Sequence, residues 1–300
     1  MKNELLKLCS AMLVLGAIGC GGNAAEGESE DELSATKLTH VSLRRDERRC
    51  AAPTCGGFYV RDANKGTAEQ YVETLDFSAS KLDEATIAGI NAAPASELVL
   101  QGRLTAVSSK SKQRSFRVTS AFRGMPGLAV PSGDAVYATA TTRIQCVAAP
   151  CLDKTATKIN DGSVTYFSTL DLGAASAGFV DQAWLASRVR DHGALVAAQV
   201  VDGAKLQTGA DKVLAAAQVF VKLPEAVACP PNRAMPIQCA AGQVATFARD
   251  ENRCLTQVAC VKPGVCSQLV PSCGAGYSLV QWRSGASGCQ TSVCEPTFSL

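Results

Sequence analysis

Histidine is nearly absent from this chain, and several motifs that carry chemistry are missing from it. Only His40 and His192 occur among 300 residues, and aromatic residues make up 5%. The sequence contains no P-loop, dinucleotide-binding fingerprint, EF-hand loop or H-E-x-x-H motif. The formal net charge of +2 creates no general attraction for nucleic acid. We therefore expect no cofactor, no bound metal, no nucleic-acid partner and no catalytic centre.

Long apolar runs are also missing, and the one apolar segment is short. Residues 8–20 follow Lys2 and Lys7 and end at Cys20. A membrane-spanning helix needs ~20 apolar residues, whereas the apolar part of a signal peptide needs about 7–15. Small residues before Cys20 predict a bacterial lipoprotein signal peptide at residues 1–19, with lipid on the Cys20 sulfur and the membrane as a partner. Ordinary secretion is the alternative. Gly21 then favours the outer membrane of the cell envelope.

Cysteine, by contrast, is abundant, with 14 residues in the chain. Cys9 leaves with the signal peptide and Cys20 carries the lipid, so an even number remains in an oxidising compartment. That number predicts up to six disulfides. The twelve cysteines concerned are Cys50, Cys55, Cys146, Cys151, Cys229, Cys239, Cys254, Cys260, Cys266, Cys273, Cys289 and Cys294.

Two C-x4-C loops, Cys50–Cys55 and Cys146–Cys151, lie 96 residues apart. A disulfide across each loop would stabilise the fold by roughly 2 kcal/mol through chain entropy. The alternative is a zinc site of four thiolates shared by the two loops. The oxidising compartment and the wide spacing favour disulfides.

An internal duplication follows an acidic tether. Residues 20–39 are polar and acidic, which predicts a disordered linker. The spacing of 96 residues recurs at Asn64 and Asn160, and Asp76 and Asp171 follow at a spacing of 95, which predicts two units of about 95 residues at 40–142 and 143–225. For the recurring asparagines and aspartates we expect structural roles as caps of turns, with a paired-carboxylate site as the alternative.

The two units predict an α+β fold in which antiparallel strands dominate. The S-x-x-D pattern at Ser80–Asp83 predicts a helix that runs through Asn91. Residues 179–190, with Phe179 and Trp184 on one face, predict the equivalent helix. The basic run at residues 44–49 is interrupted by its own acids, so we expect a solvated, self-paired stretch.

The last part of the chain, residues 226–300, predicts a small disulfide-rich module. Its eight cysteines form two groups of four with similar gaps. Units of this size need disulfides because they bury too little apolar surface. The pairing within the module is left open, since eight cysteines allow about 105 connectivities.

The residues from Arg49 to Asn64, in which Cys50, Pro53 and Cys55 precede two glycines and Phe58, resemble a known family, as does Leu98–Leu104. The family is a domain of unknown function found in predicted secreted proteins and lipoproteins of Gram-negative bacteria. The likeness covers about residues 40–225, although Leu152 and Asp153 replace the two glycines in the second unit. The resemblance implies no activity, substrate or catalytic residue.

These observations predict a non-catalytic cell-envelope lipoprotein, a disulfide-stabilised scaffold or binding module with a protein or envelope polymer as its partner. One alternative is a protease-inhibitor-like protein or ligand trap that acts through the cysteine-rich tail, where Lys262 and Arg283 are basic positions. A second alternative is an envelope hydrolase that uses His192 as its base, although no G-x-S-x-G motif accompanies it. The structural alternative for His192 is a favourable interaction with the last backbone carbonyls of a helix.

Overall fold

The computed structural model describes residues 37–48, 56–105, 114–176, 179–206, 209–224, 229 and 237–299. The predicted signal peptide, Cys20, most of the acidic tether and the Cys50–Cys55 loop lie outside the described residues. Within the described part of the chain, no helix has the length and apolar character needed to cross a membrane.

Two successive stretches of chain, the first and the second half of the sheet, form the same series of elements. The first contains β1 (Thr39–Arg45), β2 (Phe58–Asp62), β3 (Gln70–Val72), β4 (Thr74–Asp76), α1 (Glu84–Ala92), β5 (Leu98–Leu104) and β6 (Ser115–Gly124). The second contains β7 (Ala135–Thr141), β8 (Lys154–Lys158), β9 (Val164–Phe167), β10 (Thr169–Asp171), α2 (Gln182–Asp191), β11 (Leu195–Leu206) and β12 (Gly209–Leu223). Short 3-10 turns lie at Ala95–Glu97 and Ala174–Ser176. β1 begins at Thr39, the last residue of the predicted tether, and His40 lies inside this strand.

All twelve strands join one sheet in the order β3-β2-β1-β5-β6-β12-β11-β7-β8-β9, with β4 beside β6 and β10 beside β12. The strands are mostly antiparallel, as predicted, and only β4 and β10 pair in parallel. The order of equivalent strands is the same when counted from either end. At the centre, β6 and β12 run antiparallel with Arg123 opposite Val221.

The pairing registers of the two halves also correspond. In the first half Arg44 lies opposite Tyr59, and in the second Ala140 lies opposite Thr155, with each residue 96 positions further along the chain. The pairs of β1 with β5 and of β7 with β11 keep the same spacing, since His40 faces Gln101 and Val136 faces Ala197.

Three apolar clusters pack against the sheet. One surrounds Ile90 of α1 and Phe116, and a second surrounds Trp184 of α2 and Phe167. The third joins the two halves and contains Phe122 and Phe220. These aromatic residues are almost fully buried. Although aromatic side chains are few in the sequence, each of the three clusters therefore contains some, at about 1.5–3 kcal/mol for each large side chain buried.

Both helices begin later than the sequence predicted. Asp83, not Ser80, caps α1, and its carboxylate accepts the Thr86 N–H at 2.8 Å. Lys81 has φ 59°, a left-handed conformation that a right-handed helix cannot contain. Asp181 caps α2, so Phe179 precedes the helix and is exposed instead of lying on its apolar face.

The cysteine-rich tail folds as two β-hairpins. The first consists of β13 (Val244–Arg249) and β14 (Leu255–Val261), and the second of β15 (Tyr277–Ser284) and β16 (Cys289–Pro296). A short 3-10 turn, Thr297–Ser299, follows β16. Phe298 in that turn packs against the apolar clusters of both halves of the sheet, so the end of the chain is part of the fold.

Candidate functional site

Cys146 and Cys151 are joined by a disulfide that closes the loop between β7 and β8. The two sulfur atoms are bonded to each other, so this pair offers no thiolates and the alternative of a shared four-thiolate zinc site is wrong here. Cys50 and Cys55 lie outside the described residues. In the part of the chain that the structure describes, no three side chains of His, Cys, Asp or Glu gather as metal ligands.

The four tail disulfides follow one pairing rule, which the cysteine spacing alone did not predict. In each group of four, the first cysteine pairs with the third and the second with the fourth. The bonds are Cys229–Cys254, Cys239–Cys260, Cys266–Cys289 and Cys273–Cys294. Each hairpin is thus cross-linked twice to the segment that precedes it.

Removal of a tail disulfide should destabilise the protein more than removal of the Cys146–Cys151 bond. The double variant C239S/C260S opens a link with a sequence separation of 21 and should lower the free energy of unfolding by about 3 kcal/mol. The separation of 5 in C146S/C151S predicts a loss of about 2 kcal/mol. Urea unfolding of the two variants measures the difference. Equal losses, or a larger loss in C146S/C151S, would contradict the entropic explanation.

A buried cluster of charges attaches the tail to α2. Arg249 of β13 contacts the carboxylates of Asp181 and Glu295, and Arg253 contacts Glu295 at 2.9 Å. The side chains of Arg249 and Glu295 are only 6% and 5% exposed. Burial lowers the pKa of Arg249, while Asp181 opposes that shift. The guanidinium of Arg253 also lies 4.6 Å from the centre of the Trp184 ring. This cluster orients the tail on the second half of the sheet.

Asn64 and Asn160 bridge the two halves reciprocally. Asn64 Nδ2 donates to the carbonyls of Val136 and Ile159, and its Oδ1 accepts the Val136 N–H at 2.7 Å. Asn160 Nδ2 donates to the carbonyls of His40 and Ala63, and its Oδ1 accepts the His40 N–H at 2.8 Å.

Each asparagine therefore forms hydrogen bonds with backbone groups of the first strand of the other half, β7 for Asn64 and β1 for Asn160. In the sheet order, that strand is widely separated from the strand that precedes the asparagine. Both have positive φ, 67° and 64°, a conformation that asparagine tolerates better than most residues. Their recurrence in the sequence has this structural explanation.

Asp76 and Asp171 end β4 and β10 and cap the turns that follow. Asp76 Oδ1 accepts the Ser78 N–H at 3.0 Å, and Asp171 Oδ1 accepts the Gly173 N–H at 2.9 Å. Hydrogen bonds from Ser78, and then from Arg117, lower the pKa of Asp76 to about 2. These contacts are the turn-capping roles that the sequence predicted. The two carboxylates lie in different halves of the sheet, and each is engaged by its own turn.

The two histidines belong to different elements of the fold, His40 to β1 and His192 to the end of α2. His192 is the C-cap of α2, where its backbone N–H donates to the Arg188 carbonyl. The His40 ring is tilted against Phe122, with ring centres 5.9 Å apart. Burial lowers the pKa of His40, and a hydrogen bond with Asn160 opposes this shift in part.

We expect the free energy of unfolding to decrease as pH falls, because of the protonation of His40. Its folded pKa lies below the ordinary value near 6.5, so the unfolded chain takes up the proton first as pH falls. The contribution of His40 is therefore complete above about pH 6.5 and is lost as pH falls from there towards its folded pKa. Urea unfolding between pH 7.5 and 5.5 should show this slope, and H40Q should remove it. H192Q is the matched control and should retain the slope; a slope that vanishes in H192Q instead would contradict the assignment.

An open cleft beside β1, β2 and β3 combines arginines with tyrosines. Its volume is about 880 Å³, and residues 42–48 and 94–96 form much of its wall. Arg44 stacks on the ring of Tyr59, with its guanidinium carbon 4.1 Å from the ring centre. Arg48 lies 5.8 Å from the Tyr59 ring centre and 5.7 Å from that of Tyr71.

Carboxylates hold these arginines in place. Arg44 donates to Glu69, with Nε 3.1 Å from Oε2, and Arg48 donates to both oxygens of Asp46 at 2.8 Å. The hydrogen bond from Arg48 lowers the pKa of Asp46 to about 2. The predicted self-pairing of the basic run is therefore confirmed for Asp46 and Arg48. Sequence reasoning missed Glu69 and the tyrosines, which the pairing of β1 with β2 and of β2 with β3 brings close.

With this geometry, the protein is a mostly antiparallel, disulfide-rich β protein, a type that is typical of extracellular or exported proteins. The chain belongs to the family described as "Domain of unknown function (DUF6748)", whose model matches residues 39–226. That match covers both halves of the twelve-stranded sheet.

A protein of Dictyostelium discoideum described as uncharacterized is 30% identical over 261 residues. The alignment covers 83% of this chain and 84% of that protein. An alignment of that length must pass residue 226, so the likeness reaches into the cysteine-rich tail as well. No solved structure matches the chain.

Proposed function

We propose that the protein is a non-catalytic, disulfide-stabilised binding scaffold of the cell envelope. The single observation that carries the proposal is the set of five disulfides in the described residues, four of which fix two hairpins that pack onto the sheet. Such cross-links persist in oxidising compartments. The anchor, lipid on Cys20 in the outer membrane after removal of residues 1–19, rests on the signal sequence alone.

Mass spectrometry of the protein purified from the membranes of its producing cells tests this proposal. A diacylated Cys20 at the mature amino terminus and no free thiol among the other cysteines are the expected results. Several free thiols would remove the basis of the scaffold. A soluble mature protein with intact disulfides would instead contradict the lipid anchor and support ordinary secretion.

We further infer that residues 40–142 and 143–225 derive from one duplicated unit. The equal strand orders, the registers at a spacing of 96 residues and the reciprocal contacts of Asn64 and Asn160 support this. Because β7 pairs with β8 and β11, a boundary just before Ala135 fits the pairing better than one at residue 143.

An inhibitor of apolar-selective proteases is the second candidate, and one loop favours it. Residues 266–273 connect the hairpins, and the cysteines at both ends of the loop are bonded to Cys289 and Cys294 of β16. Between them, Leu269 is 91% exposed. A loop fixed at both ends loses little entropy when a protease cleft binds it. Lys262 and Arg283, the basic positions singled out in the sequence, are exposed but lie outside this loop.

Inhibition assays against chymotrypsin and trypsin test this candidate. Stoichiometric inhibition of chymotrypsin that L269G abolishes, with V265A as the matched control in the same tail, would support it. Rapid cleavage after Leu269 without inhibition would contradict it.

A further inference from the structure

The cleft beside β1, β2 and β3 presents cations outwards and keeps the carboxylate of Asp46 buried behind them. The side chains of Arg44 and Arg48 are each 57% exposed, whereas that of Asp46 is 1% exposed. Glu69 and Asp46 each bind one edge of a guanidinium. A guanidinium has five N–H donors, so donors remain on the edge that faces the solvent.

These arginines are held ready to bind. Stacking on Tyr59 and the contacts with the carboxylates restrict both side chains before a ligand arrives. A planar, oriented guanidinium suits the paired oxygens of phosphate and carboxylate groups, and less entropy is lost on binding.

The second half of the sheet shows that the fold does not need this cluster. At the equivalent positions in register, Ala140 stands for Arg44, Thr155 for Tyr59 and Thr157 for Arg61. The bridging residues Asn64 and Asn160 occur in both halves. Residues that the architecture requires thus recur, and Tyr71 also has a counterpart in Tyr166, whereas no arginine or tyrosine stands at the second-half positions of Arg44, Tyr59 and Arg61.

Both guanidinium carbons lie close to the same ring, at 4.1 and 5.8 Å from its centre, so no more than about 10 Å separates them. Arg45 and the exposed Arg61 add two further cations to the wall, and the exposed Glu47 adds one anion. We propose that this cleft binds a multivalent oxyanion, with Arg44 and Arg48 each engaging one of its phosphate or carboxylate groups. The inference rests on the protein being a binding module, and it names the chemical class of the ligand.

Titration calorimetry of the purified protein tests the proposal with three probes: inorganic tripolyphosphate, trigalacturonic acid and the neutral sugar maltotriose. Binding of either anion, without binding of maltotriose, is the expected result, and the tighter anion identifies phosphate or carboxylate as the natural group. Raising NaCl from about 50 to 500 mM should weaken the binding because salt screens exposed charges. Equal binding of maltotriose, or binding of none of the probes, would overturn the proposal.

Variants make the test specific. R44A/R48A should raise the Kd at least about tenfold, which corresponds to the loss of one good charged contact. R44K/R48K keeps the charge but lacks the planar fork, so it should weaken binding to a smaller degree. E47Q should tighten binding. R143A, an exposed arginine just past the end of β7 in the second half, is the matched control and should bind as the wild type does.

A wild-type Kd in R44A/R48A, or an equal loss in R143A, would overturn the proposal. Urea unfolding of each variant checks that the fold is retained. A failed titration leaves the disulfides and the Cys20 lipid unaffected, so the thiol and lipid measurements separate failure of this inference from failure of the scaffold proposal.

Discussion

Replacement of Glu295 by glutamine should lower the free energy of unfolding by about 3–5 kcal/mol. The Glu295 carboxylate contacts the guanidinium groups of Arg249 and Arg253, and the side chains of Glu295 and Arg249 are almost fully buried. Loss of the negative charge leaves two guanidinium groups out of water with only part of their compensation. Urea unfolding followed by far-ultraviolet circular dichroism measures the loss.

The matched control is E69Q, which removes the negative partner of Arg44 in an exposed pair. Surface ion pairs contribute about 0–1 kcal/mol, so E69Q should change stability little. The double variant R249M/E295M, which removes both charges of the Arg249–Glu295 pair, should recover part of the loss seen in E295Q. A loss below about 1 kcal/mol in E295Q would contradict the assigned role of the charge cluster.

The charge cluster makes the cysteine-rich tail part of the main fold. Its members come from the N-cap of α2, from β13 and the turn that follows it, and from β16. The Cys294 N–H also donates to the Phe179 carbonyl just before α2. The disulfides cross-link each hairpin to the tail segment that precedes it, so they join tail residues only to one another. Attachment to the rest of the fold therefore depends on the charge cluster, on hydrogen bonds such as that from the Tyr277 hydroxyl to the Pro126 carbonyl, and on the packing of Tyr277 and Phe298. We expect one cooperative unfolding transition for sheet and tail together.

Local pattern predicted much of this architecture. Antiparallel strands, two helices and disulfides in the tail follow from periodicity and from the number of cysteines. The predicted start of α1 was wrong because Lys81 adopts a left-handed conformation that no residue pattern reveals, and the predicted start of α2 was wrong because Asp181 caps that helix. The pairing of the tail cysteines was left open, because spacing alone does not show which β-strands meet.

The candidate cleft was visible in the sequence only as a basic run. Asp46 and Arg48 are two residues apart, so their pairing was a local inference. Arg44 finds Glu69 only because β1, β2 and β3 are adjacent in the sheet, and Tyr59 enters through the register of β1 with β2. Contacts set by sheet register join residues that are distant in the sequence, so local sequence motifs do not predict them.

The sequence shows that Asn64 and Asn160 occupy matching positions, but it does not show which backbone groups they bind. Asn160 binds the backbone of His40, 120 residues away, and Asn64 binds that of Val136, 72 residues away. These distances arise because each asparagine reaches across to the other half. A comparison of the sequence with itself detects the recurrence, whereas only the fold gives its reason.

Replacement of Asn160 by glycine should lower the free energy of unfolding by about 3 kcal/mol. Glycine accepts the φ of 64°, so the change isolates the loss of the side chain. That loss leaves the His40 N–H and the carbonyls of His40 and Ala63 without this partner, at about 1–3 kcal/mol for a buried group and less where another hydrogen bond or water compensates. N64G should cost a similar amount, because its contacts are the equivalent ones. Urea unfolding at pH 7 measures both.

N160D sharpens the same test, because a carboxylate oxygen would take the place of the Nδ2 donor and face two carbonyl oxygens. It should be less stable than N160G at pH 7. The two carbonyl oxygens raise the folded pKa of the carboxyl above its unfolded value near 4, so stability should recover as pH falls from 7 and the recovery should be complete by about pH 4, because a protonated carboxyl can donate again. K81G is the matched control: it places glycine at another positive φ without removing a bridge, and it should be neutral or stabilising. If N160G and N64G are as stable as K81G, the two asparagines do not hold the halves of the sheet together.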